Sequence, residues 1–249
     1  MKTNLTYKRL MPEHSLDDFV YCFSSLQNLS KEMKGVIIPN GKVDLIFTLL
    51  ENNELCVSLM GLETKPKSAN QTVTKFFSIS FNPLAVEYLF QDSIAAILNS
   101  GKILPANFWE FNNMDLNNFD AFCEKASFKI KSLLPNKIDE RKRTLFKLIS
   151  ETNGATSIKD LSKKVAWSER QINRYFSQQF GLSLKSYCNI LRFQASLVHI
   201  KDGELSPQLN FSDQSHFIKE IKKLSGVSPK ELFKNENDRF LQFLMIKKE

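Results

Sequence analysis

The sequence is poor in the residues that build special sites. Eight glycines and eight prolines in 249 residues exclude a loop-dominated or collagen-like scaffold. The three histidines, His14, His199 and His216, show no ligand spacing, so a His-rich zinc or iron site is not expected. Cys22, Cys56, Cys123 and Cys188 form no CxxC pair and read as reduced thiols. No apolar run approaches about 18 residues, and the longest, Val43–Leu50, contains Asp44; no transmembrane helix and no membrane partner are expected. The stretch from Met1 to Arg9 has no apolar segment of the kind a secretory signal needs, so a cytoplasmic location is expected. GxSxG, a Gly-rich phosphate loop with Lys, and HExxH are all missing, and no catalytic residue, metal or cofactor is assigned.

What is present is unevenly spread. Residues 1–137 carry 14 basic and 14 acidic side chains, and residues 138–249 carry 20 and 13. The whole formal charge of +7 therefore sits in the C-terminal part. A neutral half joined to a basic half fits a sensing or assembly domain fused to one that binds a polyanion. A Lys-rich solvated helical surface is the plain alternative.

Periodicity divides the chain at the same place. Val43–Leu50 and Leu55–Leu62 flank Glu51-Asn52-Asn53-Glu54 as a hairpin. Val73–Phe81 puts Val73, Phe77, Ile79 and Phe81 on one strand face, and Val36–Ile38 is a short strand before the turn Pro39-Asn40-Gly41. Asn82-Pro83 predicts a helix start running to about Phe90, and Ser15–Asp18 predicts a capping box ahead of Phe19, Val20 and Phe23. Asp115–Leu134 carries Phe119, Phe122, Cys123, Ala126, Ile130 and Leu133 on one helical face before Pro135. Residues 1–137 thus read as an α+β domain with a mostly antiparallel sheet.

Residues 138–249 read as all-α. Helices are predicted over Asp139–Thr152, Ile158–Lys164 behind Ser157, from Ser168 to Phe180 with Gln171 completing a capping box, Leu184–Lys201, from Ser212 to Leu224, and Lys230–Phe233, with a tail over Asn235–Glu249. Two helix–turn–helix candidates lie in tandem, Ile158–Phe180 and about Leu205–Leu224. In the first, Leu161, Val165, Ile172 and Phe176 supply a small core, while Arg170, Asn173, Arg174 and Gln178 point away. In the second, Phe217, Ile221 and Leu224 face inward, and Gln214, Ser215, Ile218, Lys219 and Lys222 lie on other faces. A DNA-reading helix needs this division between a stripe that fixes it and a stripe that meets base edges. The 18-residue helix between them spans about 27 Å, which with packing offsets brings the two readers near one turn of B-DNA, about 34 Å.

Phe211-Ser212-Asp213-Gln214-Ser215-His216-Phe217 followed by Gly226-Val227-Ser228-Pro229 resembles the second half of the AraC/XylS-type DNA-binding domain. Ser168–Ile172, Phe176, Phe180–Ser183 and Leu191-Arg192-Phe193 resemble its first half, in order and spacing, so the likeness covers about residues 155–233. More weakly, Ile38–Phe47 and Phe77–Pro83 resemble a domain without assigned activity that often precedes such regulators. The resemblance implies a transcription regulator, usually an activator, with double-stranded DNA and RNA polymerase as partners. It further implies a regulatory part over 1–137 that senses a small-molecule effector, forms a homodimer, or both. Carried over position by position, Arg170, Gln171, Asn173 and Arg174 are DNA contacts of the first reader, and Gln214, Ser215, His216, Lys219, Lys222 and Lys223 those of the second. The segment Arg192–Phe211 is about one helical turn shorter than the family pattern, and Pro207 stands where the leading helix of the second unit belongs.

Plainer readings stand beside several of these residues. His216 and Trp167 also fit structural packing, Asp213 a helix-start carboxylate, and Lys222 and Lys223 a solvated face. Asn40-Gly41 with Asp44 fits turn chemistry as well as a ligand site. A catalytic or ligand-processing N-terminal part, with DNA binding for localisation only, is the alternative function, and clustered titratable residues in a pocket would mark it.

Overall fold

The computed structural model describes residues 6–27, 34–50, 52–70, 75–207 and 211–235, together with Phe240 and Phe243. The predicted hairpin is present as β4 (Val43–Leu49) and β5 (Leu55–Met60). Its turn is closed by Leu50 N donating to Glu54 O and by Asn53 in the left-handed region, while Glu51 lies outside the described residues. Strict alternation buries Val43, Leu45 and Phe47 and leaves Asp44, Ile46 and Thr48 on the opposite, half-open face. The strand predicted over Val73–Phe81 is β7 (Lys75–Phe81), and Val73 lies outside the described residues. It pairs with β4 in register Phe47 to Phe77 and Leu45 to Ile79.

The rest of the sheet departs from expectation. The segment predicted as a helix around Phe19–Phe23 is β2 (Val20–Gln27), preceded by a single 3-10 turn at His14–Leu16. Ser15 caps nothing; its hydroxyl donates to the Glu13 carboxylate. β2 lies between β7 and an unpredicted strand, β1 (Thr6–Leu10). It is buried on both faces, so Val20, Cys22, Phe23 and Leu26 do not alternate and mimic a helical stripe. Two further strands, β6 (Lys67–Asn70) and β8 (Gly101–Leu104), were not foreseen, because each is a four-residue edge. The main sheet runs β1-β2-β7-β4-β5-β8, antiparallel throughout, and β3 (Lys34–Ile37) pairs with β6 as a separate ribbon. Asn82 likewise is not a cap: its amide donates to Asp17 O at 2.9 Å. The short helix α1 (Ala85–Leu89) starts three residues later, with no side-chain cap.

One face of the sheet is sealed by α2 (Phe119–Leu133), capped by Asn118. Phe119, Phe122, Cys123, Ala126 and Ile130 are buried on it as predicted, whereas Leu133 is only partly covered. Phe122 meets Phe47, Phe77 and Phe111 at centroid distances of 5.2, 5.2 and 5.1 Å, in the tilted and edge-on arrangements aromatic rings prefer.

The helical part follows the sequence closely: α3 (Glu140–Glu151), α4 (Ile158–Val165), α5 (Glu169–Phe180), α6 (Leu184–Lys201), α7 (Gln214–Ser225) and α8 (Pro229–Lys234). Of the tail, Phe240 and Phe243 pack into the interior, Phe240 through a parallel bridge to Val36. Leu241 and Leu244 lie outside the described residues. The apolar core is continuous from Leu16, in the turn before β2, to Phe243.

Phe122→Ala removes one ring from a closed cluster and is expected to cost about 3–5 kcal/mol in urea unfolding. A loss under about 1 kcal/mol would mean the cluster is loosely packed.

Candidate nucleic-acid interface

The first unit is built by local chemistry. Ser157 caps α4, accepting from Asp160 N at 3.1 Å, and Ala166 takes the left-handed conformation that turns the chain. Ser168 and Gln171 then form the predicted capping box: Gln171 N donates to Ser168 Oγ at 3.2 Å, and Ser168 N to Gln171 Oε1 at 2.8 Å. Ile172, Phe176 and Phe180 are fully buried, and Leu161 and Val165 complete their seat. Arg170, Gln171, Asn173, Arg174 and Gln178 are exposed on the other side. The capping box takes the Gln171 carbonyl oxygen, which leaves that side chain only its amide nitrogen to offer outward. Trp167 lies against Tyr175 with Arg141 over its ring at 5.2 Å, a packing role.

The second unit is less complete. Among the described residues between Asp202 and Asp213 there is no helix, as the short spacing and Pro207 foretold. The cap of α7 is Asp213, accepting from His216 N at 2.8 Å, and not Ser212. Aspartate one residue closer to the helix outcompetes the serine, and its carboxyl is held below the usual carboxylate range mainly by that backbone hydrogen bond. Phe217, Ile221 and Leu224 are buried; Gln214, Ser215, Ile218, Lys219, Lys222 and Lys223 are exposed. Two of the expected contacts have structural duties. Gln214 donates to Leu205 O at 2.9 Å. His216 is half-buried edge-on to Phe211, and its Nδ1 accepts from Ser212 N. Glu220, one turn before Leu224, accepts from Asn189 of α6 at 3.1 Å and stands 3.8 Å from Lys223.

The N-terminal part holds a second concentration of chemistry, on the half-open face of the sheet. Asp44 accepts from Ser80 Oγ at 2.5 Å and from Asn40 Nδ2 at 3.4 Å. Lys42 donates to Asn82 at 2.8 Å and lies over the Tyr21 ring at 4.3 Å, with Arg9 over the same ring at 4.8 Å. The register places Cys22, Ser80, Asp44 and Met60 side by side across four strands. Burial raises the Asp44 carboxyl against the pull of Ser80, Asn40 and Lys42, and lowers the Lys42 ammonium to about 8. Burial also pushes up the Cys22 thiol, which makes it a poor nucleophile.

Residues 161–235 match a family model described as a helix-turn-helix domain. Residues 161–235 are an AraC-type helix–turn–helix domain. Residues 8–101 match a family model described as a domain of unknown function, DUF6597. No curated protein matches the sequence. Solved structures with a similar arrangement include ToxT from Vibrio cholerae O395, 12% identical, covering 95% of this chain and 100% of that one at a TM-score of 0.45. The P21 form of ToxT from Vibrio cholerae is 14% identical over 92% and 97% at 0.43. Unsaturated fatty acid-bound wild-type ToxT from Vibrio cholerae strain SCE256 is 14% identical over 92% and 94% at 0.39.

Within the AraC-type domain, four of the expected contact residues are exposed on α5 and the rest lie on α7, exposed except for the half-buried His216. The polar grouping at Asp44 was legible only as a turn motif, because Arg9, Tyr21, Cys22 and Ser80 join it from other strands. No helix among the described residues is long and apolar enough to cross a membrane.

Lys42 gives a test of this grouping. Its proton is held at 10.5 when unfolded and at about 8 when folded, so the penalty for burying its charge is full below pH 8. The penalty is relieved as pH rises toward 10.5, because the folded state has released a proton that the unfolded state keeps. Cys22, Arg9 and Asp44 act on it in the wild type and stay in place in the variant, beside the Tyr21 ring. The melting-temperature gain of Lys42→Met over wild type is therefore expected to shrink between about pH 7 and pH 10. A difference independent of pH would show that Lys42 stays charged throughout.

Proposed function

We propose that the protein is a sequence-specific DNA-binding transcription regulator of the AraC type that acts in the cytoplasm, with RNA polymerase as its downstream partner and activation as its usual effect. Residues 138–249 would bind DNA, and residues 1–137 would regulate. The reading is carried by α5: Arg170, Asn173, Arg174 and Gln178 stand exposed on a helix whose opposite stripe is wholly buried, inside an AraC-type domain. Arginine forks to guanine, and Asn or Gln to adenine, are the common base contacts in the major groove. The +7 charge confined to the C-terminal half supports binding strength through phosphate neutralisation.

The second reader would contribute through Gln214, Ser215 and Lys219, with Lys222 and Lys223 toward phosphate and His216 chiefly a brace. In the regulatory half, the half-open face around Lys42, Asp44, Arg9 and Tyr21 is the best-supported place for a small-molecule effector, because it gathers opposite charges and hydroxyls on one sheet. A homodimer through the same half would let two chains read paired sites. A catalytic role for this half has less support. The Cys22 thiol is raised by burial, and both Asp44 oxygens are engaged.

Selection of random duplexes by the purified full-length protein, followed by sequencing, tests the reading. One or two enriched patches are expected, the second about one helical turn from the first. Salt-sensitive binding with no enrichment would overturn it. On the selected site, Arg174→Ala is expected to cost about 1–3 kcal/mol and relax preference at one base pair; unchanged binding would remove α5 as the reader. Lys223→Ala is expected to weaken all duplexes alike and lower the slope of log affinity against log salt by about 1; a sequence-selective loss would contradict its phosphate role.

A further inference from the structure

The flank of α5 next to its reading face is held by the N-terminal half. Tyr175 donates its hydroxyl to Glu87 Oε2 at 2.9 Å, and Lys142 of α3 donates to Glu87 Oε1 at 2.5 Å while lying over the Tyr175 ring at 5.0 Å. Glu87 and Lys142 side chains are each only 20% exposed, so these charge-assisted bonds are shielded from water. Burial, then the Glu87 charge, pushes the Tyr175 hydroxyl upward, so it stays a donor at all ordinary pH.

The end of α5 is held by the same half. A helix leaves its last carbonyls without internal partners. Here Ser93 Oγ donates to Gln178 O at 2.6 Å and Gln179 O at 3.1 Å, and Ile94 N donates to Gln179 O at 3.0 Å. Gln179 returns a bond to Asp92 O at 3.0 Å. Gly181, at φ +75°, closes the helix so near that a Cβ would stand 2.9 Å from Ala95 O. The second reader ends in the same manner. Gly226, at φ +81°, abuts Pro66, and a Cβ there would lie 3.3 Å from its ring.

These contacts leave the reading face untouched: Arg170, Asn173, Arg174 and Gln178 remain exposed while the contacts are made. The N-terminal half therefore does not compete with DNA for α5. It fixes the helix from the side and from its C-terminal end. We propose that Glu87 and Ser93 are positioning residues for DNA reading, through which the N-terminal half sets the pitch of the first reader relative to the second. The inference rests on α5 being a reader. Sequence is read only where side chains meet base edges with hydrogen-bond geometry, whereas phosphate contacts carry no sequence information. Loss of the clamp thus lowers sequence preference and spares general affinity.

The test uses the full-length protein, its selected duplex and a scrambled duplex, with affinities measured by fluorescence anisotropy. For Glu87→Gln combined with Ser93→Ala, the ratio of specific to scrambled affinity is expected to fall about tenfold, with scrambled affinity and salt slope unchanged. Tyr175→Phe, which removes one hydroxyl from a site whose packing it keeps, is expected to lower the ratio in the same direction, and thermal melts confirm that it folds. An unchanged ratio in these variants, while Arg174→Ala lowers it, overturns the positioning role and leaves α5 as the reader. A raised ratio also overturns it, by making the clamp a restraint. If wild type itself prefers no duplex, the reading function falls and the inference with it.

Discussion

The molecule is organised around α6, which is enclosed from several directions. Leu184, Tyr187, Cys188, Ile190, Phe193, Ser196, Leu197 and Ile200 are all buried on it, more than one apolar stripe would provide. Each side answers to a different element. Tyr187 packs on Phe146 and Phe176 beneath α3 and α5, and its hydroxyl points at Gly41 O of the N-terminal half. Gln194 donates to Pro39 O in the same turn. Asn189 holds Glu220 of α7, and Lys201 donates to Phe243 O from the tail. Gly154 lies against the Cys188 backbone, closer than any Cβ would allow. Close approach of this kind fixes the distance between helices, since interiors at crystal-like density admit little adjustment.

That arrangement explains why the helical half was legible and the sheet only partly. Each C-terminal helix announces itself within a few residues. Ser157 and Ser168 cap where serine was expected, Ser183 and Ser228 cap the helices that follow them, and Gly181 and Gly226 stop helices in the left-handed conformation. Such signals act within a few residues and depend little on tertiary context. β2 has no such protection. Its burial depends on β1 and β7, the latter some 50 residues away, and a strand covered on both faces loses the alternation that identifies it. Ser15 and Asn82 show the limit from the other direction. Both have the chemistry of caps, yet Glu13 and Asp17 take their hydrogen bonds.

The candidate site divides in the same way. Helical periodicity puts Arg170, Asn173 and Arg174 on the side away from Ile172 and Phe176, and the family resemblance implied their role as DNA contacts. The clamp on that helix was legible from neither. Glu87 and Tyr175 are 88 residues apart, Ser93 and Gln179 86 apart, and nothing in either neighbourhood marks them. The sheet-face grouping is intermediate: Asn40, Gly41 and Asp44 form a visible motif, while the groups that decide its chemistry arrive by strand pairing.

The shortened second unit draws these strands together. In a helix–turn–helix, the leading helix braces the reading helix against the backbone of DNA. α7 has no such helix among the described residues, yet it is not loose. Asn189 fixes its middle from α6. Ser225 anchors its end, donating to Ile221 O at 2.8 Å while accepting from Val227 N at 3.2 Å. Pro66 of the N-terminal half stands against Gly226. The bracing that one local helix would supply is thus spread over a long helix, a tight turn and the other half of the chain. The seat of α7 is shared with the N-terminal half through Pro66, as the seat of α5 is through Glu87 and Ser93.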